Sequence, residues 1–247
     1  MKTLNENQNW LYSLPIAHRG YYDKDNPENT EPAYLLAVEN GYAIETDVQM
    51  TADNHLVCIH DSNMKRICKV DVDIRDLTLE EVKKLRPFDK DLSILTFEEF
   101  LKLVDGRVPV MIEVKPQKRC GVESLIINAL DNYSGKFALQ SFDPFIVRKL
   151  KKLSPNLTVG MLITLERFDN LSKFENFLIQ KTVYLYLLKL DFVNVRISDL
   201  EKLYKRIKRR KILTWTITNQ EQLKIAEKYA LNVTFEKQVG DLGKFKI

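Results

Sequence analysis

Short apolar runs alternate with helix-like segments along almost the whole chain, and this alternation constrains the fold more than any other feature. A regular succession of strand and helix predicts a parallel sheet with helices packed against it. With 45% hydrophobic residues, the chain can bury the core that such a sheet needs. The runs that we predict as strands are residues 15–18, 43–48, 56–60, 108–114, 137–140, 157–163, 192–195, 212–217 and 232–235.

The second and third predicted strands break this alternation. Only seven residues separate them, whereas a parallel crossover needs a dozen or more, and residues 51–54 are typical of a turn. We therefore expect an antiparallel hairpin that folds His60 back towards Asp47. The remaining eight strands predict an α/β fold, a (β/α)8 TIM barrel, in a single domain over residues 1–247.

The segments between the strands carry helix start signals. These signals are three capping boxes, Thr78 with Glu81, Thr96 with Glu99 and Ser198 with Glu201, and one N-cap followed by proline, Asp143-Pro144. Residues 61–95 contain only one short predicted helix, near residues 79–85. We expect this segment to be an insertion over one mouth of the barrel, where loops govern access.

Charge and cysteine content exclude several classes of protein. The formal charge of +4 is spread over the whole chain, so no nucleic acid or membrane partner is required. The three cysteines, Cys58, Cys68 and Cys120, form no CxxC motif, which favours reduced thiols over a disulfide framework or a zinc site. Residues 1–15 are too polar for a signal peptide, and the longest apolar run, 183–188, is far too short to span a bilayer. We expect a cytoplasmic protein without membrane insertion.

Carboxylates and a lysine lie where barrel strands are predicted to end. Glu45 and Asp47 are two residues apart, hence on one face of a strand, and Glu113 and Lys115 repeat this spacing in another strand. Carboxylates on a buried face need a cation, and an all-oxygen ligand set favours Ca²⁺ or Mg²⁺ over zinc. The alternative is that these carboxylates form structural ion pairs with Lys115 and Arg19.

Two of the three histidines also close predicted strands. His18 precedes Arg19-Gly20, and His60 precedes Asp61. Because histidine titrates near neutrality, two histidines that face one substrate could act as general base and general acid. The third, His55, lies in the predicted turn and is given no role.

These residues belong to an ordered set of motifs. The set is His18-Arg19-Gly20, Asn26-Pro27-Glu28-Asn29-Thr30, Glu45-x-Asp47, His60-Asp61 with Arg66 downstream, Glu113-x-Lys115, Gln140-Ser141-Phe142 and Trp215-Thr216-Ile217. In order and approximate spacing, the set resembles the glycerophosphodiester phosphodiesterase family over about residues 15–217. Members of that family are (β/α)8 barrels with an inserted segment after the second histidine, which agrees with the layout predicted above.

The resemblance implies metal-dependent hydrolysis of a small-molecule glycerophosphodiester to sn-glycerol 3-phosphate and an alcohol. The attacking group would be either water or the glycerol hydroxyl of the substrate, and the second route would give a cyclic phosphate that water then opens. The implied roles are His18 and His60 as the acid/base pair, Glu45, Asp47 and Glu113 as ligands of one divalent cation, Ca²⁺ or Mg²⁺, and Arg19 and Lys115 as phosphate contacts. Glu28 and Asn29 are expected to orient Arg19 and the first loop rather than to touch substrate, and Thr30 to cap the next helix. Phe142 and Trp215 are expected to line the pocket, with core packing as the alternative.

Three other functions are alternatives to the predicted phosphodiesterase. A phospholipase D-like enzyme acting on lysophospholipid or sphingolipid would need an apolar groove, whereas residues 61–95 are rich in charge. The basic run 205–211 could bind nucleic acid or an anionic membrane face. However, it ends a predicted helix, where cations suit the dipole, and it lacks interleaved aromatic residues. A non-catalytic phosphate- or anion-binding barrel would be expected to lose a histidine or a metal carboxylate, and the chain keeps all five.

The similarity fades near the end of the chain. Residues 232–236 are followed by Lys237-Gln238, where the family usually has a Thr-Asp-Pro-like sequence. The segment after Ile163, including residues 184–188, also lacks a recognisable match. These departures leave the catalytic set whole but give no prediction of substrate preference.

Overall fold

A closed barrel of parallel strands forms the centre of the protein. The computed structural model describes residues 6–117, 121–166 and 184–247. Its strands are β1 (Ile16–Ala17), β2 (Ala43–Met50), β3 (Leu56–Cys58), β4 (Val110–Val114), β5 (Phe137–Ser141), β6 (Val159–Ile163), β7 (Phe192–Arg196), β8 (Ile212–Ile217) and β9 (Asn232–Phe235). All strands except β3 pair in parallel in the order β1-β2-β4-β5-β6-β7-β8-β9, and β9 pairs with β1 again. The predicted (β/α)8 barrel is confirmed.

The strand β3 lies outside the barrel and pairs antiparallel with β2. Val48 lies opposite Cys58, and Met50 opposite Leu56. In the turn, the backbone N–H of Thr51 donates to the carbonyl oxygen of His55 at 2.9 Å. The predicted hairpin is therefore confirmed, and it brings the residues after β3 back along β2.

Helices follow the barrel strands. They are α1 (Glu31–Glu39), α2 (Lys65–Cys68), α3 (Leu79–Lys84), α4 (Phe97–Val104), α5 (Val122–Leu130), α6 (Pro144–Leu153), α7 (Tyr184–Leu187), α8 (Ile197–Ile207) and α9 (Gln220–Tyr229). Short 3-10 helices span Glu6–Tyr12, Ile74–Asp76, Pro87–Asp89, Lys237–Val239 and Gly243–Phe245. Among the described residues, no helix combines the length and the apolar character needed to cross a membrane.

Three of the predicted helix starts have the expected capping contacts. The side chains of Thr78 and Thr96 each accept a hydrogen bond from the backbone N–H three residues on, and the glutamate at that position reaches back. Asp143 accepts from the backbone N–H of Phe145, with proline at the first helical position. The prediction at Ser198 is wrong, because β7 runs directly into α8 and the cap position is Arg196.

The start of α1 lacks the side-chain capping hydrogen bond that was expected there. Thr30 occupies the N-cap position, but its side chain makes no capping hydrogen bond. Its hydroxyl instead donates to the carbonyl oxygen of Pro27 at 2.5 Å. Thr30 therefore stabilises the loop that precedes α1 rather than the first turn of the helix.

The amino-terminal 3-10 helix covers the end of the barrel where the strands begin. Its Trp10 and Leu11 pack in one apolar cluster with interior residues of the barrel, namely Ile16, Ala43, Met111, Ala138, Phe192 and Leu213. The Nδ2 atom of Asn232 donates to the carbonyl oxygens of Leu11 and Leu14, which fixes the segment to β9.

At Gly160 any Cβ would lie within 2.5 Å of the Phe192 ring, so glycine makes room for that ring in the core.

Residues 61–95 pack around an apolar cluster that they share with β3 and the residue after it. Its members are Val57, Ile59, Met64, Ile67, Cys68, Ile74, Val82 and Ile94. The predicted helix near residues 79–85 is present as α3, while α2 and two 3-10 turns are too short to have been predicted. The Nζ atom of Lys90 donates to the carbonyl oxygens of Lys24 and Asp25, so the insertion contacts the loop after β1.

The capping box at α4 provides a test of the helix starts. We expect Thr96→Ala to lower the free energy of unfolding by about 1 kcal/mol, because the backbone N–H of Glu99 loses its acceptor. Ser198→Ala is the matched control, since Ser198 is exposed and does not occupy the cap position. Urea unfolding followed by circular dichroism measures both. Equal stability of the two variants would contradict the assignment of the cap.

Candidate active site

Three buried carboxylates from two adjacent strands form the centre of the site. Glu45 and Asp47 lie two residues apart on β2, and Glu113 on β4 is paired in register with Asp47. One carboxylate oxygen from each residue lies within 4.8 Å of the others, and all three residues are buried. The predicted spacing therefore brings all three carboxylates together, in a geometry that could hold a divalent cation.

The pKa values of Glu45 and Asp47 differ because different amounts of positive charge lie near each carboxylate. Burial, followed by the proximity of Asp47 and Glu113, raises the pKa of Glu45 well above its usual range. Burial also acts to raise the pKa of Asp47, but the charges of Lys115, His60 and Arg19 outweigh it and hold that pKa below the usual range. The protein's own cations thus compensate Asp47 better than Glu45. This uneven compensation, together with the all-oxygen donor set, fits a bound hard divalent cation.

Two cationic side chains contact the carboxylate cluster. The Nζ atom of Lys115 lies 2.8 Å from Asp47 Oδ1 and 2.5 Å from Glu113 Oε1. The Nε atom of Arg19 lies 3.3 Å from Asp47 Oδ2, and its backbone N–H donates to Glu45 Oε2 at 2.9 Å. The ion pairs foreseen as the structural alternative are thus present beside the predicted metal ligands.

The loop after β1 holds Arg19 in place. Its backbone has a φ of +55°, and the next residue, Gly20, has a φ of +83°. A Cβ at Gly20 would lie 2.9 Å from the backbone of Ala33, so only glycine lets the loop pack against α1. The Nη1 atom of Arg19 donates to Glu28 Oε1 at 2.8 Å, as expected for a residue that orients the guanidinium.

Both predicted histidines lie beside a carboxylate. The Nδ1 atom of His18, directly after β1, lies 3.2 Å from Glu236 Oε1. The Nδ1 atom of His60 lies 2.7 Å from Asp61 Oδ1. The side chain of His18 is 14% exposed and that of His60 35% exposed, so His60 is the more open to solvent.

Burial is the largest influence on His18 and lowers the pKa of its ring. The neighbouring Arg19 acts in the same direction, while Glu236 and Asp47 oppose it. At neutral pH this favours the uncharged imidazole. A neutral ring can accept a proton at whichever nitrogen carries the lone pair.

Arg66 joins the two ends of the site. Its guanidinium donates from Nε to Asp61 Oδ2 and from Nη2 to Glu28 Oε1, both at 2.6 Å. Asn29 donates from Nδ2 to Asp47 Oδ2 at 2.9 Å, so the second residue expected to orient the first loop touches a carboxylate of the cluster. The loop after β1, the residue after His60 and the carboxylate cluster are therefore one connected polar network.

The two predicted pocket aromatics contact each other. The rings of Phe142 and Trp215 pack edge to face with centroids 5.4 Å apart. The Nε1 atom of Trp215 donates to the carbonyl oxygen of Asn194 at 3.2 Å, and both rings are partly exposed. Their surfaces are available to a ligand as well as to each other.

Glu236 is the residue of the site that the sequence motifs missed. It follows β9 and contacts His18, while its Oε2 atom accepts from Gln238 Nε2 at 2.5 Å. The rule that identified the other residues, a polar side chain at the end of a barrel strand, applies equally to this position. No motif marks it, because the sequence around the last strand departs from the pattern of the family.

A parallel barrel with acidic, basic and histidine side chains at the carboxyl ends of its strands defines an enzyme-like site of the TIM-barrel class. The family model for the glycerophosphoryl diester phosphodiesterase family matches residues 18–234. The chain belongs to this family.

Individual relatives agree with the family match. The chain is 36% identical over 164 residues to the glycerophosphodiester phosphodiesterase of Caldanaerobacter subterraneus, an alignment that covers 62% of this chain and 67% of the relative. The crystal structure of a glycerophosphodiester phosphodiesterase from Thermotoga maritima superposes with a TM-score of 0.70 at 25% identity, covering 91% of this chain and 95% of the other. A phosphodiesterase from Oleispira antarctica, solved with the product sn-glycerol-3-phosphate, gives a TM-score of 0.73 at 24% identity over 91% of this chain and 94% of that one.

Thermal stability in the presence of metal ions tests the carboxylate cluster. We expect Ca²⁺ or Mg²⁺ at 100 times its dissociation constant to stabilise the fold by about 2.7 kcal/mol, because only the folded chain assembles the ligands. Glu113→Gln should remove most of this gain, whereas Glu201→Gln, at an exposed position on α8, should retain it. Differential scanning fluorimetry with added ion or with chelator gives the comparison. If neither ion raises the Tm of the unmodified protein, the cluster is not a metal site.

Proposed function

We propose that the protein hydrolyses small, water-soluble glycerophosphodiesters to sn-glycerol 3-phosphate and an alcohol, with one bound divalent cation, Ca²⁺ or Mg²⁺. The observation that carries the proposal is the convergence of the predicted side chains at one mouth of the barrel. Glu45, Asp47 and Glu113 lie together there, with Lys115 and Arg19 against them. The family membership and the named relatives support the same reaction class.

The charge of this site suits a phosphodiester. Three carboxylates contribute −3, the two basic side chains +2 and a divalent cation +2, which sums to +1 opposite a diester of −1. In the proposed arrangement, Glu45, Asp47 and Glu113 hold the cation, which supplies Lewis acidity when it is bound. Arg19 and Lys115 bind the non-bridging phosphate oxygens and stabilise the charge that grows there in the transition state.

The two histidines supply the proton transfers in this proposal. One ring removes the proton from the attacking hydroxyl as the new P–O bond forms. The other gives a proton to the oxygen of the departing alcohol as its P–O bond breaks. Both His18 and His60 contact a carboxylate through Nδ1, which leaves Nε2 of each ring for this chemistry.

The charge of residues 61–95 supports a small, water-soluble substrate over a lysolipid, and a cleft beside the site has charged residues in its walls. The cleft has a volume of about 590 Å³. Its walls are Tyr22, Asp23, Lys24, Pro27, Glu28, Phe88, Lys90, Lys237 and Gln238, of which five carry charge. Tyr22 and Gln238 both contact Glu236, and Glu28 contacts Arg19, so the cleft shares a wall with the catalytic residues. Phe142 and Trp215 would form a further wall of the substrate pocket.

The cytoplasm is the proposed location of this activity. Among the described cysteines, Cys58 and Cys68 are buried and form no disulfide, which suits a reducing compartment. Cys120 lies outside the described residues. Burial raises the pKa of the Cys58 thiol to about 12, so it stays protonated and unreactive at neutral pH.

Release of glycerol 3-phosphate from a panel of glycerophosphodiesters tests the proposal. We expect release that a chelator abolishes, and a loss of roughly 10²- to 10⁴-fold in kcat for His18→Ala and for His60→Ala, the usual range for acid/base groups. His55→Ala is the matched control, because His55 lies on the exposed hairpin turn beside Asp53. No release from any diester by folded protein supplied with Ca²⁺ or Mg²⁺ would refute the proposal. Release of choline from lysophosphatidylcholine instead would point to the phospholipase D-like alternative.

A further inference from the structure

We propose that Glu236 is the positioning residue that makes His18 the general base, leaving His60 to act as the general acid. The assignment deepens the proposed function and rests on it. It starts from a single contact, in which His18 Nδ1 lies 3.2 Å from Glu236 Oε1.

The contact determines which nitrogen of the ring carries the proton. Glu236 is ionised at neutral pH, because hydrogen bonds from His18, Gln238 and Tyr22 outweigh burial and lower its pKa to about 2. An ionised carboxylate only accepts hydrogen bonds. The Nδ1 atom of His18 must therefore be the donor, and in the neutral ring the lone pair lies on Nε2.

Neighbouring groups keep Glu236 fixed in this orientation. Gln238 Nε2 donates to its Oε2 atom at 2.5 Å, and the Tyr22 hydroxyl also donates to the carboxylate. On the other side, the backbone N–H of His18 donates to the carbonyl oxygen of Phe235 at 2.9 Å. Ring and carboxylate are thus held by the ends of two paired strands, β1 and β9, which is the rigid support that a base needs.

Asp61, the carboxylate beside His60, has different hydrogen-bond donors from Glu236. Asp61 receives two hydrogen bonds from Arg66, from Nε to Oδ2 at 2.6 Å and from Nη2 to Oδ1 at 3.0 Å. Arg66 therefore neutralises the carboxylate beside His60, whereas the described donors to Glu236, apart from His18, are uncharged. His60 is also the more exposed of the two rings, so it can be reprotonated from solvent between turnovers. These differences assign the base to His18 and the acid to His60.

Every proton that moves in the proposed step has a donor and an acceptor. His18 Nε2 takes the proton of the attacking hydroxyl while that oxygen bonds to phosphorus. The P–O bond to the alcohol breaks, and His60 gives up one proton to the alcohol oxygen. This step therefore leaves His18 protonated and His60 neutral, and proton exchange with solvent restores both.

The pH profile separates positioning from general structural support. The charged groups that face His18 are Arg19 on its own loop, Asp47 on β2 and Glu236 after β9. Glu236 stabilises the protonated ring, so Glu236→Gln should lower the pKa of His18. The acidic limb of kcat/KM should then move to lower pH by about one unit, and kcat should fall about 10-fold with KM changed less than about twofold. Glu236→Asp retains the charge and should keep the acidic limb within about 0.3 pH units of its original place.

A second measurement follows the ring itself. The chain has only three histidines, so long-range ¹H–¹⁵N spectra of the Mg²⁺-supplied protein resolve each ring, with His18→Gln and His55→Gln providing the assignments. We expect the Nδ1–H tautomer for His18 in the unmodified protein and a mixture of tautomers in Glu236→Ala. Glu201→Gln removes an exposed carboxylate elsewhere and should change neither spectrum nor pH profile.

The outcomes distinguish this inference from the proposed function. Active enzyme whose acidic limb does not move in Glu236→Gln, or a His18 ring in the Nε2–H tautomer, would overturn the role of Glu236 while leaving the reaction intact. Unmodified protein that is inactive on every diester would overturn the proposed function and the base assignment with it. Circular dichroism of each variant shows whether a loss of activity results from a loss of the folded structure.

Discussion

Burying three carboxylates next to one another is the constraint on which the rest of the site depends. Transferring a charge from water to a protein interior is unfavourable unless an opposite charge compensates it. Lys115 supplies this compensation to Asp47 and Glu113 from the end of β4. Arg19 supplies it from the end of β1. The neighbouring barrel strands β1, β2 and β4 are thus joined by ion pairs at the carboxylate cluster as well as by the hydrogen bonds of the sheet.

The strand register explains why the site could be predicted from the sequence. In a strand, residues two apart share a face, so Glu45 and Asp47 had to lie together once β2 was identified. Adjacent parallel strands then placed Glu113 beside Asp47. The hairpin was equally predictable, because seven residues are too few for a parallel crossover. Local periodicity and connection length were therefore sufficient for the barrel and for its acidic cluster.

Features that depend on contacts between distant segments were not predictable. Ser198 carries a capping-box pattern, yet β7 continues directly into α8 and places the start of the helix at another residue. The mostly polar 3-10 helix that includes Trp10 gives no periodic signal, although its Trp10 and Leu11 pack against the barrel core. Glu236 lies 218 positions from His18 along the chain, and only closure of the barrel by pairing of β9 with β1 brings them together.

The insertion is coupled to the chemistry through a chain of ion pairs. Asp61 contacts His60 and is held by Arg66, which also holds Glu28, and Glu28 in turn holds Arg19. Any displacement of residues 61–95 therefore changes the surroundings of a proposed acid and of a proposed phosphate ligand together. On the opposite side of the site, His18 and Glu236 contact each other at the ends of β1 and β9. One histidine is thus tied to the rigid barrel and the other to the segment that contacts the first loop, so the proposed base lies on a strand end and the proposed acid beside the insertion.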